Sequence, residues 1–77
     1  MNPHNKEKDG SSPGKAIIVD SIKEEYQWIK YHCSGWHKEM QMLKEIDGKP
    51  YDVQILYNDQ GEERTVYFDI SKFYKTS

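Results

Sequence analysis

The sequence contains a single cysteine, Cys33, and that scarcity limits how the fold can be stabilised. One thiol cannot form a disulfide within the chain, so the cystine framework of many small secreted proteins is excluded. A lone thiol fits the cytoplasm, and it also fits an exported protein whose signal is absent from this chain. The compartment therefore stays open, and the fold has to rely on its core.

Long apolar runs are also missing. The longest covers residues 16–19, far below the ~18 residues that a membrane-spanning helix needs. The chain has 77 residues, enough for one domain. A domain of this size buries only about 60% of the surface that its unfolded chain exposes, and oligomerisation is one way to compensate.

The chain has no excess of basic charge. Its formal net charge is -2, with 11 basic and 13 acidic residues interleaved along the sequence. Arg64 is the only arginine, so the planar fork that binds phosphate or guanine is scarce. Proteins that bind nucleic acid usually gather Lys and Arg into one patch. The charge pattern therefore argues against a nucleic-acid partner, which we keep as an alternative.

Residues 1–15 contain no side chains that could build a core. They are rich in Gly, Pro, Ser, Asn and charged residues, a composition typical of disordered segments. We predict a disordered lead here, either the spacer after a removed signal or a remnant of expression, with His4 in solvent. Residues 16–77 then form a single small α+β domain.

Ser21 begins the region that we predict to be helical. Ser21 and Glu24 match the capping box, in which the serine accepts from the amide of Glu24 and the glutamate reaches back to the amide of Ser21. Glu24 and Glu25 also suit the positive end of the helix dipole. Apolar residues recur behind the cap at spacings of four, three and four, which predicts one buried face. That face consists of Ile22, Tyr26, Ile29 and Cys33.

Gly35 is predicted to end the helix. Glycine is the usual residue at the C′ position because a positive φ causes it no Cβ clash. With Gly35 at C′, we expect the side chains of Trp36 and Tyr31 to touch across the helix end.

Beyond the helix the apolar period changes to two, which is typical of strands. Asp47 and Gly48 form a strong two-residue hairpin signal, and Gly61 closes a second hairpin loop. Residues 38–46 fit both a helix and a strand. We favour a strand, because the strand that follows Asp47 and Gly48 needs a hairpin partner for its backbone.

These elements predict an α+β fold with one N-terminal helix packed on a three-stranded antiparallel β-meander. Residues 16–19 could add a short strand at one edge. The alternation in residues 51–57 turns the apolar side chains one way and those of Asp52 and Gln54 the other. We expect the apolar set beneath the helix, since a helix and a sheet bury their apolar surfaces against each other. The sheet residues predicted there are Met40, Met42, Val53, Ile55, Val66, Phe68 and Ile70.

The helix and the hairpins resemble the PepSY-type module, in which a helix precedes strands of Gly-x-x-Tyr-x-Val and Val-Tyr-Val-Asp type. The matching residues are Gly48, Tyr51, Val53, Gly61, Val66, Tyr67 and Asp69. The chain departs from that module at residues 71–74, where the module usually has a Gly turn. The resemblance implies an extracytoplasmic regulatory or inhibitory module. The core is also similar to small uncharacterised bacterial domains that end in Tyr-Phe-Asp-Ile-Ser, here residues 67–71, which implies a bacterial origin and no activity.

No constellation in the sequence points to catalysis or to a metal. His32, Cys33 and His37 are three potential ligands, but structural zinc needs four in paired spacings that this segment lacks. Cys33 falls on the apolar face of the predicted helix and is read as a small buried hydrophobe rather than a nucleophile. The aspartates are scattered, and Asp69 is predicted to cap the tail at residues 71–74. We therefore predict a protein with no enzymatic activity, cofactor or metal.

The remaining candidate is an apolar surface. An antiparallel sheet can leave one face in water, and an exposed apolar row on that face marks an interface. We expect Leu43, Leu56 and Tyr67 to form this row, with Phe73 and Tyr74 beside it or folded over it. The sequence thus predicts a small binding module whose partner is another protein or a second copy. A PepSY-like module and a nucleic-acid-binding domain are the alternatives.

Overall fold

The computed structural model describes residues 8–75, and within them it has one α-helix and four strands. In chain order these are β1 (Ile17–Ile18), α1 (Ile22–His32), β2 (Trp36–Ile46), β3 (Lys49–Asn58) and β4 (Glu63–Asp69). A 3-10 turn, Pro13–Lys15, precedes β1. β2 contains residues 38–46, so the preference for a strand in that segment is confirmed.

The four strands form one mixed sheet in the order β1-β4-β3-β2. β2, β3 and β4 run antiparallel to their neighbours. β1 is the short edge strand that residues 16–19 were expected to add, and it runs parallel to β4, with Ile17 beside Phe68. The sheet is therefore four-stranded and mixed, and the prediction of a three-stranded antiparallel meander is wrong in this respect. Parallel neighbours need a long crossover connection, which α1 and the first two meander strands provide. The broader prediction of an α+β fold is confirmed.

The segment before β1 packs against the sheet. The amide of Tyr67 donates to the carbonyl of Gly10, and the amide of Gly10 donates to the carbonyl of Lys15, each at 2.7 Å. Gly10 is buried and has a φ of 77°, a conformation that favours glycine. Residues 8–15 therefore have defined positions, unlike the predicted disordered lead. The rest of that lead, residues 1–7 with His4, lies outside the described residues.

Ser21 caps the start of α1 as predicted. Its hydroxyl accepts from the amide of Glu24 at 3.3 Å. The returning bond differs by one residue from the prediction, because the Glu24 carboxylate accepts from the amide of Asp20 at 3.0 Å. One more amide before the helix is thereby satisfied, and the chain direction between β1 and α1 is fixed.

The end of α1 lies one residue earlier than predicted. Cys33 is the C-cap, and its amide donates to the carbonyl of Ile29. Gly35 has the predicted positive φ, 86°, but it sits in a separate turn in which the amide of Trp36 donates to the carbonyl of Cys33. The ring of Tyr31 packs on its neighbour in sequence, not on Trp36 as predicted. The C′ assignment of Gly35 is therefore wrong.

The apolar core beneath α1 comes from β1, β3, β4 and the residues that flank them. Its buried members are Ile17, Val19, Cys33, Leu56, Val66, Phe68 and Ile70, bordered by Trp28, Ile29 and Trp36. The predictions for Val66, Phe68 and Ile70 are confirmed. A smaller cluster lies on the opposite face, where Ala16, Tyr51 and Val53 are buried next to Met42, Ile46 and Tyr67. Both faces of the sheet therefore carry apolar packing.

The side chains of β3 point to the opposite faces of the sheet from those predicted. Val53 lies between Tyr67 on β4 and Met42 on β2, and opposing residues of antiparallel strands share a face. Because strands have a period of two, one change of phase moves every side chain of β3 to the other face. Asp52, Gln54 and Leu56 thus point toward α1. The prediction that placed Met40, Met42, Val53 and Ile55 beneath the helix is wrong.

We expect Gly10→Ala to lower the free energy of unfolding by about 2 kcal/mol, since strain and overpacking act together. The added Cβ would lie 2.8 Å from Cγ1 of Val66, in a residue whose φ is positive. Gly14→Ala is the matched control, because its Cβ would meet nothing closer than Oγ of Ser12 at 4.0 Å. Urea unfolding followed by circular dichroism measures both. Equal losses in the two variants would contradict the packing of residues 8–15 on β4.

Candidate functional site

The residues of the predicted interaction face do not lie in one row. Leu56 is fully buried beneath α1, and Tyr67 is half-buried on the other face, where its ring packs against Tyr51. Leu43 is 55% exposed but lies opposite Asp52, on the side of the sheet that carries α1. The remaining two members of the face are exposed in the segment after β4: Phe73 and Tyr74.

The three potential metal ligands of the helix end are held apart. The ring of His32 stacks on that of Trp28, with 4.6 Å between centroids. Cys33 is buried, and that burial raises the pKa of its thiol, which disfavours the reactive thiolate. Nε2 of His37 lies 3.3 Å from Oδ1 of Asp59. Residues 8–75 contain no cluster of three or more His, Cys, Asp or Glu that could hold a metal ion.

Asp69 has the predicted capping role. Its Oδ1 accepts from the amide and the hydroxyl of Ser71, at 3.0 and 2.6 Å, and Lys49 Nζ lies 3.3 Å from Oδ2. Burial raises the pKa of Asp69, but the bonds from Ser71 and the charge of Lys49 outweigh it, so the pKa is lowered overall. Asp69 is therefore a charged residue that secures the end of β4.

The unexpected feature of the structure is the side chain of Glu25. Of the residues that form α1, Glu25 alone is buried, with no exposed surface. Ile22 and Tyr26 are 43% and 50% exposed, so their predicted place on the buried face of the helix is wrong. The buried side of α1 instead includes Glu25 and Ile29, four residues apart, and continues to Cys33 at the helix end.

Glu25 joins a polar network that connects α1 to β3 and β2. Oε1 of Glu25 accepts from Nε2 of Gln54 at 3.0 Å. The carboxyl of Asp52 lies on the same face of β3 as Gln54 and raises the pKa of Glu25. Oδ2 of Asp52 accepts from Nε2 of Gln41 on β2 at 2.6 Å, and Oε1 of Gln41 accepts from Lys38 Nζ at 2.9 Å. The ammonium of Lys38 then lies 5.5 Å from the ring of Tyr26, back on α1.

Burial raises the pKa of Glu25 to about 8 from an ordinary value of 4.5, because the charged form loses its hydration. The hydrogen bond and the negative charge of Asp52 raise it further, whereas the amide of Gln54 and the charge of Lys38 lower it. Near neutral pH the Glu25 carboxyl is therefore mostly protonated.

Two acceptor atoms in the network are consistent with this proton. Among residues 8–75, Oε2 of Glu25 and Oε1 of Gln54 are buried without a hydrogen-bond partner. Both are oxygen atoms, so what they lack is a donor, and an unmet buried acceptor is destabilising. A proton on Oε2 would make it the donor and remove one of the two unmet acceptors.

The buried position of the pair decides what it can do chemically. A general acid or base must come within hydrogen-bond reach of its substrate. Glu25 has no exposed surface and Asp52 is 5% exposed, so in this conformation neither carboxyl reaches a molecule in solvent. The pair acts within the fold, where it holds α1 against β3.

The outer edge of β2 is the most accessible part of the sheet. Within the described residues β2 is the last strand on its side, so the backbone groups of that edge meet no further strand. Met40 and Leu43, near the middle of β2, are 51% and 55% exposed. The ladder with β3 is irregular between Lys38 and Met40, where a β-bulge places an extra residue.

Sequence patterns gave weak signals for this site. Glu25 fits equally well as a residue that complements the helix dipole. Asp52 and Gln54 alternate with larger apolar residues and therefore read as the exposed phase of a strand. The available signal is the spacing of Glu25 and Ile29 by one helical turn, but the partners of Glu25 are 27 and 29 positions away, beyond any local pattern.

Comparison with known proteins identifies no family for this chain. The chain matches no known protein family, no curated protein and no solved structure. The resemblances to PepSY-type modules and to small bacterial domains therefore stay predictions. Among the described residues, no helix is both long and apolar enough to cross a membrane.

The protonated pair predicts an unusual dependence of stability on pH. Unfolded Glu25 titrates near 4.5 and folded Glu25 near 8, so between these values the folded state holds the extra proton. The contribution of Glu25 to the free energy of unfolding should therefore be fully present below the lower value and fall as pH rises toward the higher one. The steepest slope expected from one proton is about 1.4 kcal/mol per pH unit.

Glu25→Gln should flatten this dependence, because the amide keeps the shape of a neutral carboxyl and cannot ionise. Glu63→Gln, which changes an exposed glutamate on β4, should retain the wild-type slope. Urea unfolding at several pH values between 5 and 9 measures the three curves. The same slope in wild type and Glu25→Gln would show that Glu25 does not carry the proton.

Proposed function

We propose that the protein is a non-enzymatic binding module that associates with a second copy of itself by pairing β2 strands. In this arrangement two four-stranded sheets join antiparallel into one continuous sheet. Strand addition of this kind takes its affinity from main-chain hydrogen bonds and its selectivity from the side chains beside them. The accessible edge of β2, with exposed apolar residues at its centre, is the observation that supports it.

The turn between β2 and β3 indicates which backbone groups of β2 are free to pair with a second copy. Asp47 and Gly48 both have positive φ, as in the type I′ turn of two-residue hairpins. In such a hairpin the flanking pair, here Ile46 and Lys49, is hydrogen-bonded, and bonded pairs alternate along the ladder. The amides and carbonyls on the outer edge then belong to every second residue. They are those of Gln41, Leu43 and Glu45.

The side chains of β2 are complementary to a second copy in antiparallel orientation. One end carries Lys38 and Glu39, and the other carries Lys44 and Glu45. An antiparallel neighbour brings the first end of one strand opposite the second end of the other, so each end offers one cation and one anion to its counterpart. Exposed Met40 and Leu43 lie near the centre on opposite faces of β2, so each would contact side chains of the second copy on its own face, where cross-strand pairs contribute to sheet stability.

The same charges restrict the choice of partner. Charged side chains and bulges on edge strands are common devices against indiscriminate pairing. An incoming strand without matching charges would bury or oppose those of Lys38, Glu39, Lys44 and Glu45, whereas a second β2 satisfies them. This selectivity supports a second copy over an arbitrary peptide.

Replacing Met40 and Leu43 together by Lys should weaken self-association strongly, because two cations would enter the centre of the joined strands in each copy. Both side chains are already half exposed, so the isolated fold should keep its circular dichroism spectrum. Tyr31→Lys is the matched control, since Tyr31 is 79% exposed on α1 and its ring packs on His32. Sedimentation velocity across a concentration series measures all three proteins.

The expected result is a concentration-dependent dimer for wild type and Tyr31→Lys, and a monomer for the double variant. In the wild-type dimer, hydrogen exchange should slow at the amides of Gln41, Leu43 and Glu45. A wild type that stays monomeric at millimolar concentration would contradict the proposal. So would a dimer that is insensitive to the double substitution, and binding to DNA or RNA in place of self-association would favour the nucleic-acid alternative.

A further inference from the structure

The buried carboxyl pair is physically connected to the proposed dimer edge. Asp52 is bonded to Gln41, a residue of β2 whose backbone is expected to face the second copy. Gln41 in turn holds Lys38, one of the four charged residues at the ends of that strand. The contact between Lys38 and the ring of Tyr26 returns the chain of contacts to α1. Glu25 and the edge of β2 are thus two ends of one network.

We infer that a proton on the buried carboxyl of Glu25, beside Asp52, holds α1 on the sheet, and that loss of this proton weakens self-association through β2. The inference rests on the proposed function, because it concerns the regulation of the same edge. It makes the protein a module whose assembly responds to alkaline conditions.

The first step is the effect of the proton on the pair itself. With the proton, one carboxyl is neutral and can donate to the other, and the site carries one negative charge. Without it, two buried carboxylates face each other with the amide of Gln54 as a neutral donor. Buried like charges are strongly unfavourable. The charged pair can be relieved only when α1 moves away from β3 or when water enters between them.

The charges around Glu25 do not cancel this repulsion. From β3 it faces Asp52, which adds to the repulsion, and from β2 it faces Lys38, whose ammonium is engaged with Gln41 and lies against Tyr26. On β4 the guanidinium of Arg64 lies over the ring of Trp28, 6.0 Å from its centroid. Lys38 is therefore the cation best placed to respond when the proton is lost.

The second step is the effect on β2. A doubly charged pair attracts Lys38 toward Asp52 and away from the acidic end of a neighbouring β2. Movement of α1 also removes Tyr26 from Lys38, so the charged end of β2 loses the contact that orders it. Each copy in a dimer would lose the attraction of Lys38 to the neighbouring β2 and the contact of Lys38 with Tyr26. The net charge of each copy would also become more negative. All of these changes disfavour pairing.

The test compares the dimer dissociation constants of wild type, Glu25→Gln and Glu63→Gln at pH 7 and pH 9 by sedimentation. For wild type and Glu63→Gln we expect the dissociation constant to rise about tenfold, as one linked proton per copy can produce. For Glu25→Gln it should stay within about twofold, because the isosteric amide cannot ionise. Hydrogen exchange of the amides in residues 22–27, corrected for the intrinsic effect of pH, reports the position of α1 in the same samples.

The outcomes separate this inference from the proposed function. A wild-type dimer whose dissociation constant is the same at both pH values overturns the inference and leaves self-association in place. Loss of affinity at pH 9 that is equal in wild type and Glu25→Gln also overturns it, since another group would then be responsible. A protein that is monomeric throughout overturns both. Unchanged exchange in residues 22–27 of wild type would contradict the release of α1 independently of any association.

Discussion

The contact of Glu25 with Asp52 and Gln54 is the constraint on which the arrangement of this small domain depends. It occurs where α1 meets the sheet, in a place that an apolar side chain would fill in most two-layer folds. A buried carboxyl is tolerated there because its neighbours supply a hydrogen bond and because it retains a proton. At this position polar hydrogen-bond partners replace apolar burial. They define the position of α1, since only one rotation of the helix places Glu25 against β3.

The rotation of α1 sets the two faces of the sheet. With Glu25 inward, Asp52 and Gln54 must face the helix, and the period of two then directs Val53 and Ile55 to the opposite face. That face gains its own cluster around Tyr51 and Val53, closed in part by Ala16 from the segment before β1. Apolar side chains are therefore divided between two small clusters. Two of the large apolar side chains that stay exposed, Met40 and Leu43, lie on β2 at one edge of the sheet.

Local signals in the sequence predicted the elements of this fold well. The Ser21 cap, the Asp47–Gly48 turn and the strand character of residues 38–46 follow from short-range chemistry, and all three are present. The sequence also predicted correctly which side chains of β4 face α1, because Val66 and Phe68 are its clear apolar positions. The short edge strand at residues 16–19 was anticipated, but its parallel pairing with β4 could not be predicted with the same rules, since β1 has two residues and its partner lies some fifty positions away.

The candidate site escaped prediction for a related physical reason. Patterns of apolar residues assign the polar phase of a strand to solvent, and in β3 that assignment reverses the faces. Only the partners of Asp52 and Gln54 reveal the correct phase, and Glu25 lies on a different element. The predicted interaction row is wrong for the same reason. It assumes that Leu56 faces water, whereas in the structure Leu56 has no exposed surface. Leu43 keeps its exposure because it lies on the edge strand.

The most direct test of this account is the titration of the Glu25 carboxyl carbon by NMR in the folded protein. The account predicts a midpoint near 8, far above the ordinary 4.5 of a glutamate. A Glu25 midpoint close to 4.5 would contradict it, because the carboxyl would then be charged at neutral pH and no proton would hold α1 on the sheet.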